Sequence, residues 1–144
     1  MRAVQRSFVP YPFDAPHFPA RLPALGLGRI ERRRHPVVIV GAGPVGLCAA
    51  LGLANHGVPV VVLEADDSVC LGSRAICISR RSLEIIERLG ALDGFLKIGL
   101  AWTGGRSFYR DAQVLHFTMP QDANQKLPPM LNLAQYHIEQ ILLE

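Results

Sequence analysis

Apolar residues interrupted by glycines dominate positions 37–64 of the chain. The β-branched run at residues 37–40 is typical of a buried parallel strand. A helix is expected next, because Pro44 suits a first helical turn and Gly57 suits a C-terminal cap. Residues 58–64 then predict a second buried strand. Strand, helix and strand within about thirty residues indicate a βαβ unit with a right-handed crossover.

The same glycines argue against a membrane segment. Residues 37–54 are eighteen positions without a charge, which on hydropathy alone would allow a membrane anchor or a secretory signal. Gly41, Gly43, Pro44 and Gly46 fall within six of those positions, where a continuous membrane helix would be hard to build. The pattern therefore predicts the core of a globular protein with no membrane partner.

The turn after the first predicted strand carries a GxGxxG motif. In such a motif the first glycine permits a tight turn, the second lets the backbone approach a pyrophosphate, and the third lets helix and strand pack closely. Free N–H groups at the helix start form an anion site. An acid at the end of the next strand can accept hydrogen bonds from both hydroxyls of an adenosine ribose. These positions form a predicted dinucleotide site: Gly41, Ala42, Gly43, Pro44, Val45, Gly46 and Glu64. A glycine turn that only packs the helix, without a ligand, is the alternative interpretation.

Two further patterns follow along the chain. Residues 80–90 alternate arginines and glutamates at helical spacing beside an apolar stripe, which predicts a solvated helix face and not a nucleic-acid patch. Residues 106–117 contain two strand-like runs around Arg110 and Asp111, which predict a hairpin.

Composition and charge divide the chain into an arm and a domain. With 144 residues, 49% of them hydrophobic and 19% charged, one ordinary soluble domain is expected. Residues 1–36 hold seven arginines, two acids and six of the eleven prolines, so the basic character belongs to this part. We therefore divide the chain into an extended arm, residues 1–35, and a domain, residues 36–144. The prolines disfavour the amphipathic helix of a mitochondrial transit peptide. Two interpretations of the arm remain: it packs across a domain surface, or it is a disordered tail.

Cysteines and histidines indicate no metal or disulfide site. Cys48, Cys70 and Cys77 are odd in number and lack CxxC spacing, and the histidines lack HxxxH spacing. Reduced cysteines in a cytoplasmic protein are the expected state.

Three stretches together resemble the FAD-dependent aromatic hydroxylases, the p-hydroxybenzoate hydroxylase-like flavoprotein monooxygenases. They are "VVIVGAGPVGLCAALGLANHGVPVVVLEA", "SRAICISRRSLEIIERLGAL" and "LNLAQYHIEQILLE". The resemblance covers about residues 36–144, and its second and third stretches favour FAD over NAD. It implies an α/β fold: a Rossmann-like FAD-binding βαβ unit with the beginning of an antiparallel β substrate layer, as an incomplete domain.

The resemblance also implies two further cofactor residues. Arg74 would bind the ribose and pyrophosphate region, for which a guanidinium is chemically suited. Gln135 would contact the ribityl or pyrophosphate portion with its amide. A surface ion pair for Arg74 and a plain helix-start role for Gln135 are the alternatives. Asp66 and Asp67 stand where relatives often carry a basic residue. This difference affects how the adenosine would be contacted, and the predicted site itself stays the same.

The implied activity is hydroxylation of a small aromatic, phenolic substrate with molecular oxygen, with FAD as cofactor and NAD(P)H as transient reductant. Relatives run for several hundred residues and carry later Asp-Gly and Gly-Asp motifs, so the chain is expected to be an N-terminal part, and no catalytic residue is assigned. Two alternatives remain. An NAD-dependent oxidoreductase of another class predicts a third parallel strand soon after Glu64, and a nonenzymatic remnant with a partial nucleotide site predicts poor flavin retention.

Overall fold

The computed structural model describes residues 13–19, 28–30, 33–70 and 77–144. Arg74 and most of the arm lie outside these residues. The helices are α1 (Pro44–Asn55), α2 (Arg80–Leu89), α3 (Leu92–Ile98) and α4 (Gln135–Leu143). The strands are β1 (Val37–Val40), β2 (Val60–Leu63), β3 (Cys77–Ser79), β4 (Leu100–Trp102), β5 (Gly104–Tyr109), β6 (Ala112–Thr118) and β7 (Met130–Asn132).

The predicted βαβ unit is confirmed, with one difference at the second strand. Strands β1 and β2 pair in parallel, and α1 connects them. After the helix, Gly57 adopts a positive φ of 70°, and the Val58 N–H donates to the Leu53 carbonyl at 2.9 Å. Because that bond closes the helix end and Pro59 has no N–H, β2 begins at Val60, two residues later than predicted.

Two antiparallel sheets complete the described fold. The predicted hairpin is confirmed as β5 and β6, which turn at Arg110 and Asp111. A three-stranded sheet with the order β3-β7-β4 was not predicted. Each of its strands has three residues, too few for an alternating pattern to stand out. The α/β class, with a parallel pair followed by antiparallel strands, agrees with the expectation.

The core lies where the four helices meet β7. Leu83, Phe95 and Leu131 are its most completely buried large side chains. On α2 the apolar stripe is buried as predicted, but Arg80 is an exception to the solvated face. Its Nε donates to the Leu127 carbonyl at 2.8 Å, which anchors the segment before β7. Within the described segments, no helix has the length and apolar character that a membrane span requires.

Gly46 is predicted to be needed for the fold itself. A Cβ at this position would lie 2.0 Å from the Gly41 carbonyl oxygen and 3.2 Å from Ile39 Cγ2, because the helix start crosses directly over β1. We expect Gly46→Ala to lower the free energy of unfolding by about 1–3 kcal/mol, measured by urea denaturation. Gly52→Ala is the control, since its Cβ would make an ordinary 3.6 Å contact with Leu89. Equal stability of the two variants would contradict this prediction.

Candidate functional site

A cleft of about 410 Å³ opens beside the glycine turn, between the end of β2 and α4. Four of the predicted site residues line it: Ala42, Gly43, Glu64 and Gln135. They come from the turn after β1, the end of β2 and the start of α4, so the fold brings together positions up to 93 residues apart in the chain. Arg74 lies outside the described residues.

The glycine turn shapes one side of the cleft. Gly41 has a φ of 101°, which favours glycine, and its N–H donates to the Leu63 carbonyl at 2.7 Å. A Cβ at Gly43 would meet no described atom within 4 Å, so open space lies in front of this backbone. Pro44 begins α1 without a side-chain cap. The N–H groups of this first turn have no acceptor within the helix and can bind an anion.

The remaining turn residues do not line the cleft. Val45 follows Pro44 in the first turn of α1, and its side chain is 85% exposed. Gly46 faces β1 and the Gly41 carbonyl. Gly41, Pro44 and Gly46 therefore shape the backbone of the turn, and the N–H groups that remain for an anion are those of the first turn of α1 after Pro44.

The Glu64 carboxylate folds back over the turn. Its Oε2 accepts from the Ala42 N–H at 2.6 Å, and its Oε1 accepts from the N–H groups of Ala65 at 2.6 Å and Asp66 at 3.2 Å. These bonds, that from Ala42 first, hold the pKa of Glu64 below its usual range. A carboxylate offers about four acceptor positions, so one remains, on Oε2. Accepting both hydroxyls of one ribose would require release of a backbone bond.

Glu139 is a site residue that the sequence patterns did not indicate. Its side chain is only 4% exposed, and it is the one buried charged side chain among the described residues. Its Oε2 accepts from the Cys70 N–H at 2.7 Å, and its Oε1 accepts from Gln135 Nε2 at 2.8 Å. This bond uses one of the two Nε2 hydrogens of Gln135, so the second N–H and the Oε1 acceptor are both left for a ligand. The i,i+4 spacing of the pair was visible in the sequence, but the contact with Cys70 was not.

Ser68 belongs to the lining of the cleft, whereas Cys48 of α1 does not. The buried Ser68 Oγ has no hydrogen-bond partner in the part of the chain that the structure describes. Cys48 is half-buried, and burial raises the pKa of its thiol, so this thiol remains protonated. Across the described ranges, no group of three His, Cys, Asp or Glu residues could hold a metal ion. The lining of the cleft is thus suited to binding, and it includes Ser68 and Cys70.

Comparison with known proteins shows which family the chain belongs to. A family model described as "FAD binding domain" matches residues 34–144. The chain is 36% identical over 116 residues to 6-hydroxy-3-succinoylpyridine 3-monooxygenase of Pseudomonas putida, covering 75% of this chain and 28% of that protein. Among solved structures, it is similar to p-nitrophenol 4-monooxygenase from Pseudomonas putida DLL-E4, with 32% identity and a TM-score of 0.67, over 76% of this chain and 28% of that one.

A second solved structure, the flavin-dependent monooxygenase PieE in complex with FAD and substrate, is 25% identical with a TM-score of 0.65. That match covers 79% of this chain and 22% of the other. The chain thus spans about a quarter of the length of these relatives. The family model matches more than three quarters of the chain, in the region that holds the glycine turn, Glu64 and Gln135. The chain therefore belongs to the FAD-binding domain family of the flavoprotein aromatic monooxygenases.

Proposed function

We propose that residues 36–144 bind the adenosine and pyrophosphate portion of FAD within an NAD(P)H-dependent monooxygenase that hydroxylates a small aromatic, phenolic compound with molecular oxygen. The single cleft that unites Ala42, Gly43, Glu64 and Gln135 is the observation that carries this proposal. When bound, FAD supplies the redox chemistry, accepting electrons from NAD(P)H and passing them to oxygen. The residues of this chain hold and orient it.

The glycine turn and Glu64 fit the two ends of an adenosine diphosphate group. The open space at Gly43 admits a pyrophosphate against the backbone, and the N–H groups after Pro44 face its charge. Glu64 is ionised, and the remaining acceptor position of its Oε2 accepts one ribose hydroxyl. Its negative charge also disfavours a 2′-phosphate. The proposed site therefore selects an unphosphorylated adenosine ribose.

Gln135 and Arg74 would bind the portion of the cofactor beyond the adenosine. Gln135 Nε2 donates one of its two hydrogens to Glu139, so the amide can still donate to a phosphate oxygen through the second and accept from a hydroxyl through Oε1. We therefore assign Gln135 to the ribityl or pyrophosphate portion of FAD. Arg74 stays assigned to the ribose and pyrophosphate region on the basis of the resemblance.

The NAD-dependent alternative is not favoured. It predicts a third parallel strand soon after Glu64, whereas the next described strand, β3, pairs antiparallel with β7. An odd number of cysteines without CxxC spacing is consistent with a reducing compartment, so we propose that the protein is cytoplasmic.

Titration of the purified chain with FAD and NAD⁺, followed by flavin fluorescence and by calorimetry, tests the binding proposal. We expect FAD to bind at least about tenfold more tightly, since only FAD offers Gln135 a ribityl hydroxyl. Preference for NAD⁺ would support the other oxidoreductase class. Binding of neither dinucleotide would support a nonenzymatic remnant.

The activity is tested by adding the portion that relatives carry after the matched segment. The 144-residue chain holds one end of the cofactor, and a cofactor held at one end forfeits contact area and leaves its ring in water. The completed chain is expected to retain FAD and to couple NAD(P)H oxidation to hydroxylation of a phenol. Efficient, coupled hydroxylation by residues 1–144 alone would contradict this division of roles.

A further inference from the structure

The arm segment, residues 13–19, packs against both sides of the cleft. The His17 backbone forms an antiparallel bridge with Ser68, and the Phe18 N–H donates to the Asp67 carbonyl at 2.7 Å. The His17 Nδ1 lies 3.5 Å from Asp67 Oδ1. The Phe13 ring packs against the Tyr136 ring of α4 at a tilt of 36°, with ring centroids 4.1 Å apart. The segment is thus attached at the loop after β2 and at the helix that carries Gln135.

Phe18 is the residue of this segment that reaches the cleft. It lines the cleft together with Gly43, Glu64 and Asp66, and its side chain is 46% exposed. The hydrogen bond from the Phe18 N–H holds the Phe18 backbone beside Asp67. Asp67 follows Glu64, the proposed ribose acceptor, by three residues. An aromatic ring is therefore placed at the adenosine end of the site. The family match begins only at residue 34, so Phe18 and the arm segment lie outside the part of the chain that matches the family.

We propose that the arm segment forms an additional wall of the dinucleotide cleft and that the Phe18 ring contacts the adenine of the bound cofactor. This inference rests on the proposed function. A half-exposed phenyl ring beside a nucleotide-sized cleft offers a π-face to a purine, and stacking of this kind tolerates small changes of geometry. The contacts of Phe13 and of the Phe18 backbone hold the arm segment beside the cleft before the ligand arrives, which lowers the entropy cost of binding.

The test measures the affinity of the full chain for FAD and ADP in three variants. Phe18→Ala is expected to weaken FAD and ADP binding by the same factor, about tenfold, because both ligands carry the adenine. Phe18→Trp keeps a stacking face and is expected to stay within about threefold of the original affinity. Phe108→Ala is the matched control, since Phe108 is 60% exposed on β5, away from the cleft.

Each outcome bears on one of the two proposals. Unchanged FAD and ADP affinity in Phe18→Ala, or a loss for FAD without a loss for ADP, would overturn the role of Phe18 while leaving the FAD site intact. An equal loss in Phe108→Ala would show a general effect on the fold and would also overturn it. Failure of the unaltered chain to bind either FAD or ADP would overturn the proposed function, and this inference with it.

Discussion

Replacement of Gly43 by valine is expected to weaken FAD binding about 100-fold while the chain stays folded. The backbone at Gly43 is extended, with φ −70° and ψ 177°, so a larger residue meets no strain there. Its Cβ would enter space that no described atom occupies, and in our proposal the pyrophosphate fills that space. Loss of one or two charge-assisted hydrogen bonds, at about 1.5–3 kcal/mol each, accounts for the expected factor.

The measurement is a fluorescence titration with FAD, accompanied by urea denaturation of each variant. Gly52→Ala serves as the control, because Gly52 lies within α1 and does not line the cleft. We expect the stability of Gly43→Val to stay within about 1 kcal/mol of the original chain, the range typical of a poorer helix N-cap. Equal FAD affinity in Gly43→Val and Gly52→Ala would count against the glycine turn as the pyrophosphate site.

Removal of the Glu139 carboxylate is expected to lower the free energy of unfolding by about 3 kcal/mol. In Glu139→Ala, the Cys70 N–H and the Gln135 amide both lose their acceptor, and a buried cavity remains. Glu139→Gln keeps the shape but places an NH₂ group opposite one of the two donors, so an intermediate loss is expected. FAD affinity should fall in both variants, since Gln135 and the loop at Cys70 line the cleft.

Glu84→Ala on α2 provides the matched control. Glu84 forms an ion pair with Arg81 at 2.9 Å on the surface, and such pairs contribute about 0–1 kcal/mol. Urea denaturation of the three variants measures the difference in stability. If Glu139→Ala proves as stable as Glu84→Ala, the buried carboxylate does not connect α4 to the loop after β2 in the way the structure indicates.

The two ends of α1 were accessible from the sequence because neighbouring residues determine them. Pro44 starts α1 where a missing N–H costs nothing, and Gly57 takes the positive φ that ends it. The hairpin turn at Arg110 was also visible from a local pattern, whereas the start of α4 at Gln135 was implied by the family resemblance. The strands of the β3-β7-β4 sheet were not, because each has three residues and is held by a partner distant in the chain.

By itself, the sequence determined the glycine turn, the acid after β2 and the order of the principal elements, since each depends on backbone preferences within a few residues. Only the tertiary structure decided that Glu139 is buried, because its partner Cys70 lies 69 residues away. It also decided the position of the arm segment, which the sequence left open between a packed and a disordered state. Those contacts join His17 and Phe18 to Asp67 across about fifty residues. Pairing at such a separation has to offset the entropy cost of closing the intervening loop, and local sequence patterns do not show whether it does.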